Sequence, residues 1–120
     1  MNNEKLFLMR NKIESNLEQI LISLNEIERF YIEVKDNASI RLMATRAIER
    51  DFEIIFNAWS SIKRYDSNIA LENISDFIRV GVHSKSAYLR TPEKLIWSIV
   101  ETKVQPLKKE VKELLSDYNE

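Results

Sequence analysis

Apolar residues recur at three- and four-residue steps along most of the chain, which is the spacing of one face of an α-helix. The first such stretch covers residues 4–34, and from Leu17 to Val34 the two steps alternate strictly. Its apolar positions are Leu6, Met9, Ile13, Leu17, Ile20, Leu24, Ile27, Tyr31 and Val34. A helix of that length, about 45 Å at 1.5 Å per residue, needs a partner of similar length to cover its apolar face. The pattern therefore predicts a long N-terminal helical hairpin.

A second helix is predicted over residues 40–63, after a break at residues 36–39 that supplies an N-cap. Its apolar stripe covers more than half of its circumference, which favours a central position in the fold. The stripe consists of Ile48, Phe52, Ile55, Trp59 and Ile62, widened by Ile40, Met43, Ala44, Ala47, Ile54 and Ala58. A polar connection at residues 64–68 leads to a shorter predicted helix at 69–80, which Gly81 is expected to end or kink.

The last helix is predicted to begin with Thr91 as N-cap, Pro92 in the first helical position and Glu93 in the first turn. Pro106 lies inside its apolar pattern and is expected to kink or split it near Gln105, because proline lacks a donor and clashes with the preceding turn. One glycine and two prolines in 120 residues are too few for the turns of an all-β protein. The sequence predicts a single all-α domain over residues 1–120, an up-and-down bundle of four or five helices.

Composition narrows the class of protein further. The chain has no cysteine, which excludes disulfides, thiolate metal sites and a cysteine nucleophile. No apolar run approaches the roughly 18 residues of a membrane span, and no signal peptide is recognisable, so we expect a cytoplasmic protein without membrane contact. The formal net charge is −1, but residues 79–112 contain eight basic and three acidic side chains. That segment is either a phosphate-binding surface or the solvated face of an ordinary helix.

Several groups of residues are predicted to have structural and not catalytic or ligand-binding roles. Glu49, Asp51 and Glu53 lie around Arg46 and Arg50, which could suggest paired carboxylates or a metal site. The spacing of Glu49 and Glu53 relative to the two arginines is instead typical of exposed or interfacial ion pairs, so neither a metal nor a cofactor is predicted. The two tryptophans fall in apolar stripes and are expected to belong to the core.

The candidate chemistry is concentrated between residues 79 and 88. This segment contains the only glycine, Gly81, and the only histidine, His83. On a helix Arg79 and His83 would be four residues apart and would share a face, unless Gly81 distorts it. Histidine is suited to proton transfer near neutral pH, whereas a histidine near a helix C-terminus is also simply favourable electrostatically. Tyr88 follows, either as a packing residue or as a site of modification.

Two stretches resemble the HepT-like proteins, which are small helical bundles of the HEPN superfamily. One is Arg46-Ala-Ile-Glu-Arg-Asp-Phe-Glu-Ile-Ile55, similar to the second helix of that family. The other joins Tyr88-x8-Trp97-Ser-Ile-Val100 to Val104-x-Pro106-Leu107-Lys-Lys-Glu-Val-x-Glu-Leu-Leu115. The resemblance covers roughly residues 40–115. It implies the toxin of a toxin–antitoxin pair, a homodimer whose partner is an MNT-type nucleotidyltransferase.

The family signature, Arg-x4-6-His-x-Tyr, implies a metal-independent ribonuclease in which histidine moves a proton and arginine stabilises the phosphate. The tyrosine is, in some members, where the partner attaches AMP. This chain departs from that signature in both possible registers. Aligning on Tyr88 puts Ser86 at the histidine position, whereas aligning on Arg79 and His83 gives a spacing one residue short, with Lys85 at the tyrosine position.

Two functions therefore follow from the resemblance. The first is an endoribonuclease, ancestrally active, with Arg79 and His83 as its catalytic residues and an eroded motif. The alternative is a non-catalytic helical module that binds RNA or a nucleotidyltransferase partner.

Overall fold

The computed structural model describes residues 2–84 and 91–118, and in that part of the chain all regular structure is helical. Four α-helices follow one another: α1 at Asn3–Asp36, α2 at Arg41–Tyr65, α3 at Ser75–Ser84 and α4 at Glu93–Tyr118. A short 3-10 turn at Ala38–Ile40 connects α1 to α2. The predicted all-α bundle with a long N-terminal hairpin is confirmed.

The hairpin of α1 and α2 is built as its apolar pattern predicts. The side chain of Asn2 caps α1 by accepting a hydrogen bond from the backbone N–H of Lys5 at 2.8 Å. At the turn, Asn37 accepts from the backbone and hydroxyl of Ser39. The predicted positions of α1 that are buried are Ile13, Leu17, Ile20, Leu24, Ile27 and Val34. Burial of these side chains against α2 supplies most of the stability of the hairpin.

The first two turns of α1 differ from the prediction, because Leu6 is 45% exposed and lies outside the core. Further along α1, Arg10 reaches the end of α4: its guanidinium lies 4.9 Å from the centre of the Tyr118 ring.

The start of α3 was predicted wrongly: the helix begins at Ser75, not near residue 69. A side chain of α4 holds the preceding segment in a non-helical form. The carboxylate of Glu110 accepts hydrogen bonds from the backbone N–H groups of Glu72 and Asn73, at 2.7 and 2.9 Å, and from the Asn73 amide. These bonds replace the helical hydrogen bonds that the apolar spacing of Leu71 and Ile74 suggested, while both side chains remain in the core.

The last helix begins one residue later than predicted. The carbonyl of Pro92 accepts the first helical bonds, from Leu95 and Ile96, and α4 starts at Glu93. Thr91 does not cap the helix, since its hydroxyl is buried without a hydrogen-bond partner among the described residues. Of the kink or split predicted at Pro106, the split is absent, because α4 is continuous through this residue. Pro106 is exposed, so water can hydrogen-bond the carbonyl that it leaves unpaired.

The core lies where α2 and α3 meet and continues between α1 and α4. Phe52 of α2 and Phe77 of α3 pack edge to face, with their ring centres 4.9 Å apart. Trp97 of α4 is 4% exposed, and its indole N–H donates to the hydroxyl of Thr45 at 3.0 Å. Trp97 is thus a core residue, as predicted, whereas Trp59 is half-buried at the edge of the core.

Candidate functional site

Arg79, the predicted phosphate-binding residue, lies on the exposed side of α3. Its side chain is 61% exposed, and one guanidinium nitrogen lies 2.5 Å from a carboxylate oxygen of Asp76, one turn earlier. With Val80, Thr91, Pro92 and Leu95 it borders a small cavity of about 90 Å³ between α3 and the start of α4. The guanidinium is therefore accessible to a ligand, although it already has a carboxylate partner.

Gly81 does not end α3, which was one of the two sequence-based expectations, because the helix continues to Ser84. Its role is close packing. A Cβ atom at this position would lie 2.7 Å from Cβ of Phe56 and 2.8 Å from the carbonyl oxygen of Phe52, both in α2. Any side chain would push α3 away from α2, so glycine lets the two helices approach.

The backbone of His83 belongs to α3, so positions 79 and 83 are one turn apart on a continuous helix and share a face. The His83 side chain and Tyr88 lie outside the described residues. The structure therefore brings the Arg79 and His83 positions onto one helix, while the predicted role of Tyr88 stays a prediction.

The basic segment forms a lysine-rich surface on α4. Lys108, Lys109 and Lys112 border an open cavity of about 290 Å³, together with Gln105 and Glu113. Lys108 is paired with Glu28 of α1 at 3.3 Å, and Gln105 hydrogen-bonds the same carboxylate. Lys109 and Lys112 are exposed, and no described carboxylate lies within 4 Å of either. These two ammonium groups are available to phosphate.

A second charged cavity, which sequence reasoning missed, lies between α1 and α2. Its volume is about 370 Å³, and we call it the α1–α2 cavity. Its lining residues are Glu26, Phe30, Arg46, Ala47 and Arg50. The ion pair predicted for Arg46 is present, with Glu49 at 3.1 Å. Arg50 forms no ion pair within 4 Å among the residues that the structure describes.

Asp51, behind this cavity, has the most perturbed environment of the described residues. It is 3% exposed, and its carboxyl faces Glu26 and the buried Ser23 of α1. Burial, followed by the neighbouring Glu26 carboxylate, raises the pKa of Asp51 to about 8, a shift that Ser23 and Arg50 oppose. Among the described residues, neither Oδ2 of Asp51 nor Oγ of Ser23 has a hydrogen-bond partner within normal distance. A protonated Asp51 instead supplies its own donor, which the Glu26 carboxylate can accept.

The sequence did contain a signal for Asp51. It lies three residues after Ile48 and four before Ile55, at inward-facing positions of α2, so a carboxyl there had to be buried. The sequence-based prediction of ion pairs covered Glu49 and Glu53 and assigned no role to Asp51.

A third group of polar contacts, at the end of the bundle, is structural. The Arg41 guanidinium lies 4.7 Å from the centre of the Trp97 ring and pairs with Glu93 at 2.7 Å. The Tyr31 ring lies 6.1 Å from the Trp97 ring, centre to centre, and the Lys35 ammonium lies 4.5 Å from the centre of the Tyr31 ring. These contacts fix the start of α4 against the hairpin.

Within the described ranges, no three histidine, cysteine or acidic residues are grouped so that they could hold a metal ion. None of the described helices is both long enough and apolar enough to cross a membrane. No protein-family model, no curated protein and no solved structure matches the chain.

Proposed function

We propose that this chain is a HepT-like protein of the HEPN superfamily that cleaves RNA without a metal, in a cytoplasmic toxin–antitoxin or defence system. The resemblance of residues 40–115 and the four-helix bundle support this assignment. One observation favours Arg79 and His83 as its catalytic residues. Because α3 is continuous through Gly81, the two positions lie one turn apart on one face of a helix.

In the proposed reaction the ribose 2′-oxygen attacks the adjacent phosphorus while His83 removes its proton. The bond between phosphorus and the 5′-oxygen then breaks, and the leaving oxygen takes a proton from a second, protonated histidine. The products are a 2′,3′-cyclic phosphate and a 5′-hydroxyl. Since the chain has one histidine, a homodimer supplies the second His83. Arg79 stabilises the negative charge that accumulates on the phosphate.

The ion pair between Arg79 and Asp76 is compatible with that role. Both partners are on the surface, where such a pair contributes at most about 1 kcal/mol, so a phosphate can displace the carboxylate. Until then Asp76 holds the guanidinium extended along α3. Asp76→Asn should therefore preserve cleavage and bind RNA more tightly, because a competing negative charge is removed.

The test is RNA cleavage by purified protein in EDTA, with His83→Ala and Arg79→Ala beside wild type and Asp76→Asn as the matched control on the same helix. We expect both alanine variants to lose at least about 100-fold in rate, the usual contribution of a positioned acid–base group. Circular dichroism of each variant establishes that it is folded. Equal cleavage by wild type and His83→Ala would exclude the proposed role of His83.

The second candidate is the non-catalytic module that binds RNA or a nucleotidyltransferase. The exposed Lys109 and Lys112 of α4 favour it. It predicts that EDTA-treated wild type binds RNA without cutting it, and that the double alanine variant of these lysines loses binding with a shallower salt dependence. In this case Tyr88 would serve as the acceptor of AMP from the partner.

A further inference from the structure

The α1–α2 cavity lies on α1 and α2 alone, and its lining contains neither Arg79 nor the lysines of α4. Its volume, about 370 Å³, falls within the roughly 300–1,000 Å³ typical of small-molecule sites. Two arginines one helical turn apart line one side, and an aromatic ring and a carboxylate line the other. This combination of groups matches the parts of a nucleotide.

The arginines provide the phosphate-binding half. Arg46 uses one nitrogen for Glu49 and keeps further N–H donors, since a guanidinium has five. Arg50 forms no described ion pair, and the buried carboxyl with which it interacts, Asp51, holds a proton at neutral pH. Arg50 is therefore not paired with an ionised carboxylate of the described residues, and the two guanidiniums can bind one phosphate together.

Phe30 provides a stacking surface for a base. Its ring is half-buried and lines the cavity, and the guanidinium of Arg29 lies 5.1 Å from the ring centre. A base that stacks on an aromatic ring is stabilised whatever its identity, so this contact gives affinity without selectivity.

Glu26 provides the selectivity. A carboxylate only accepts hydrogen bonds, and its two oxygens match two adjacent donors. Guanine has such a pair, N1–H beside the 2-amino group, whereas adenine, cytosine and uracil each place an acceptor beside the donor on that edge. Protonated Asp51 can also donate a hydrogen bond to Glu26, which helps to hold the Glu26 carboxylate in place.

We propose that the α1–α2 cavity binds a guanine nucleotide, with the base between Phe30 and Glu26 and the phosphate on Arg46 and Arg50. The nucleotide is either free or part of single-stranded RNA. Its origin in RNA rests on the proposed function, whereas the affinity of the cavity for guanine does not.

The experiment is calorimetric titration of the cleavage-deficient His83→Ala protein in EDTA, so that binding is measured whether or not the wild type is a nuclease. The probes are guanosine 5′-monophosphate, inosine 5′-monophosphate, adenosine 5′-monophosphate and guanosine. We expect guanosine 5′-monophosphate to bind about 10- to 100-fold more tightly than the inosine and adenosine analogues, since each lacks a charge-assisted hydrogen bond to Glu26. Guanosine, which has no phosphate, should bind about tenfold more weakly.

Matched variants assign the contacts. Glu26→Gln should abolish the guanine preference, and Glu18→Gln, an exposed glutamate on the same helix, should keep it. The Arg50→Ala variant should bind guanosine 5′-monophosphate no more tightly than it binds guanosine. Arg64 is exposed on α2 away from the cavity, so Arg64→Ala should bind as tightly as the His83→Ala protein without this change.

A uridine oligonucleotide with one internal guanosine, compared with all-uridine, separates the two sources. Tighter binding of the guanosine-containing strand, lost in Glu26→Gln, identifies RNA as the source, and binding of the free nucleotide alone identifies a small-molecule site. No detectable binding of guanosine 5′-monophosphate at millimolar concentration, or equal binding of the adenine analogue, would overturn the proposal. Either result leaves RNA cleavage by Arg79 and His83 to be decided by its own assay.

Discussion

Asp51 makes the stability of this protein depend on pH in an unusual direction. In the folded chain its pKa is raised to about 8, whereas the ordinary value, which applies to the unfolded chain, is 3.8. Between these two values the folded state holds a proton that the unfolded state releases. The free energy of unfolding must therefore fall as pH rises through that window, by about 1.4 kcal/mol per pH unit, and become constant above the folded pKa. In most proteins with paired carboxylates, the free energy of unfolding instead rises with pH at the acidic end of this range.

The change that isolates this effect is Asp51→Asn. The amide has the shape of the protonated acid and can donate the same hydrogen bond to Glu26, but it has no proton to lose. We therefore expect the variant to resemble wild type at or below about pH 4 and to become more stable than wild type by about 1.4 kcal/mol for each further pH unit up to about pH 8. Titrating groups that do not interact with residue 51 contribute equally to both proteins and cancel in the difference.

The assay is urea denaturation followed by far-ultraviolet circular dichroism, at several pH values from about 5 to about 8. Glu18→Gln, an exposed carboxylate change on α1, serves as the control and should follow wild type at every pH. Glu26→Gln removes the neighbouring negative charge that helps to raise the pKa of Asp51. The pH range over which the stability falls should therefore end at a lower pH in this variant than in wild type. A difference between Asp51→Asn and wild type that stays constant with pH would refute the reasoning.

Three further substitutions test the packing, each by the same denaturation assay. Gly81→Ala should cost about 1–3 kcal/mol, because a methyl group overlaps α2, whereas a stabilisation would mean that α3 is free to shift. Thr45→Val should cost about 1–3 kcal/mol by leaving the Trp97 N–H unpaired, while Thr102→Val on exposed α4 should change little; equal effects would contradict this. Glu110→Ala should cost about 2–3 kcal/mol and speed proteolysis of the segment before α3, and unchanged cleavage there would contradict its anchoring role.

The helices themselves could be predicted because their cause is local. The apolar steps that place Leu17 and Leu24 in the core are written in the sequence of α1, and α2 shows the same periodicity at Ile48 and Ile55. The start of α3 could not be predicted, since the group that prevents an earlier start, the Glu110 carboxylate, is 38 residues away from Glu72. A side chain distant in sequence overrode a local helical pattern there.

Glycine was misread for the same reason. A lone glycine after an apolar run is the usual sign of a helix end, and the sequence offers nothing against that interpretation of Gly81. The contact that requires glycine, with Phe52 and Phe56, exists only once α3 has packed on α2. Close approach and helix termination both need a residue without a side chain, and only the three-dimensional structure distinguishes them.

The two candidate sites also differ in whether local sequence spacing could reveal them. Positions 79 and 83 share a face as a consequence of helical spacing alone, so the sequence could place them together as soon as α3 was known to be continuous. The α1–α2 cavity joins Glu26 and Phe30 to Arg46 and Arg50 across the hairpin, and no spacing in either helix links them. Its one local sign was Asp51, an acid at an inward position of α2, whose burial leaves Arg50 without an ionised partner in the described part of the chain. A polar residue that interrupts an apolar stripe is therefore the place in such a sequence where a second site should be sought.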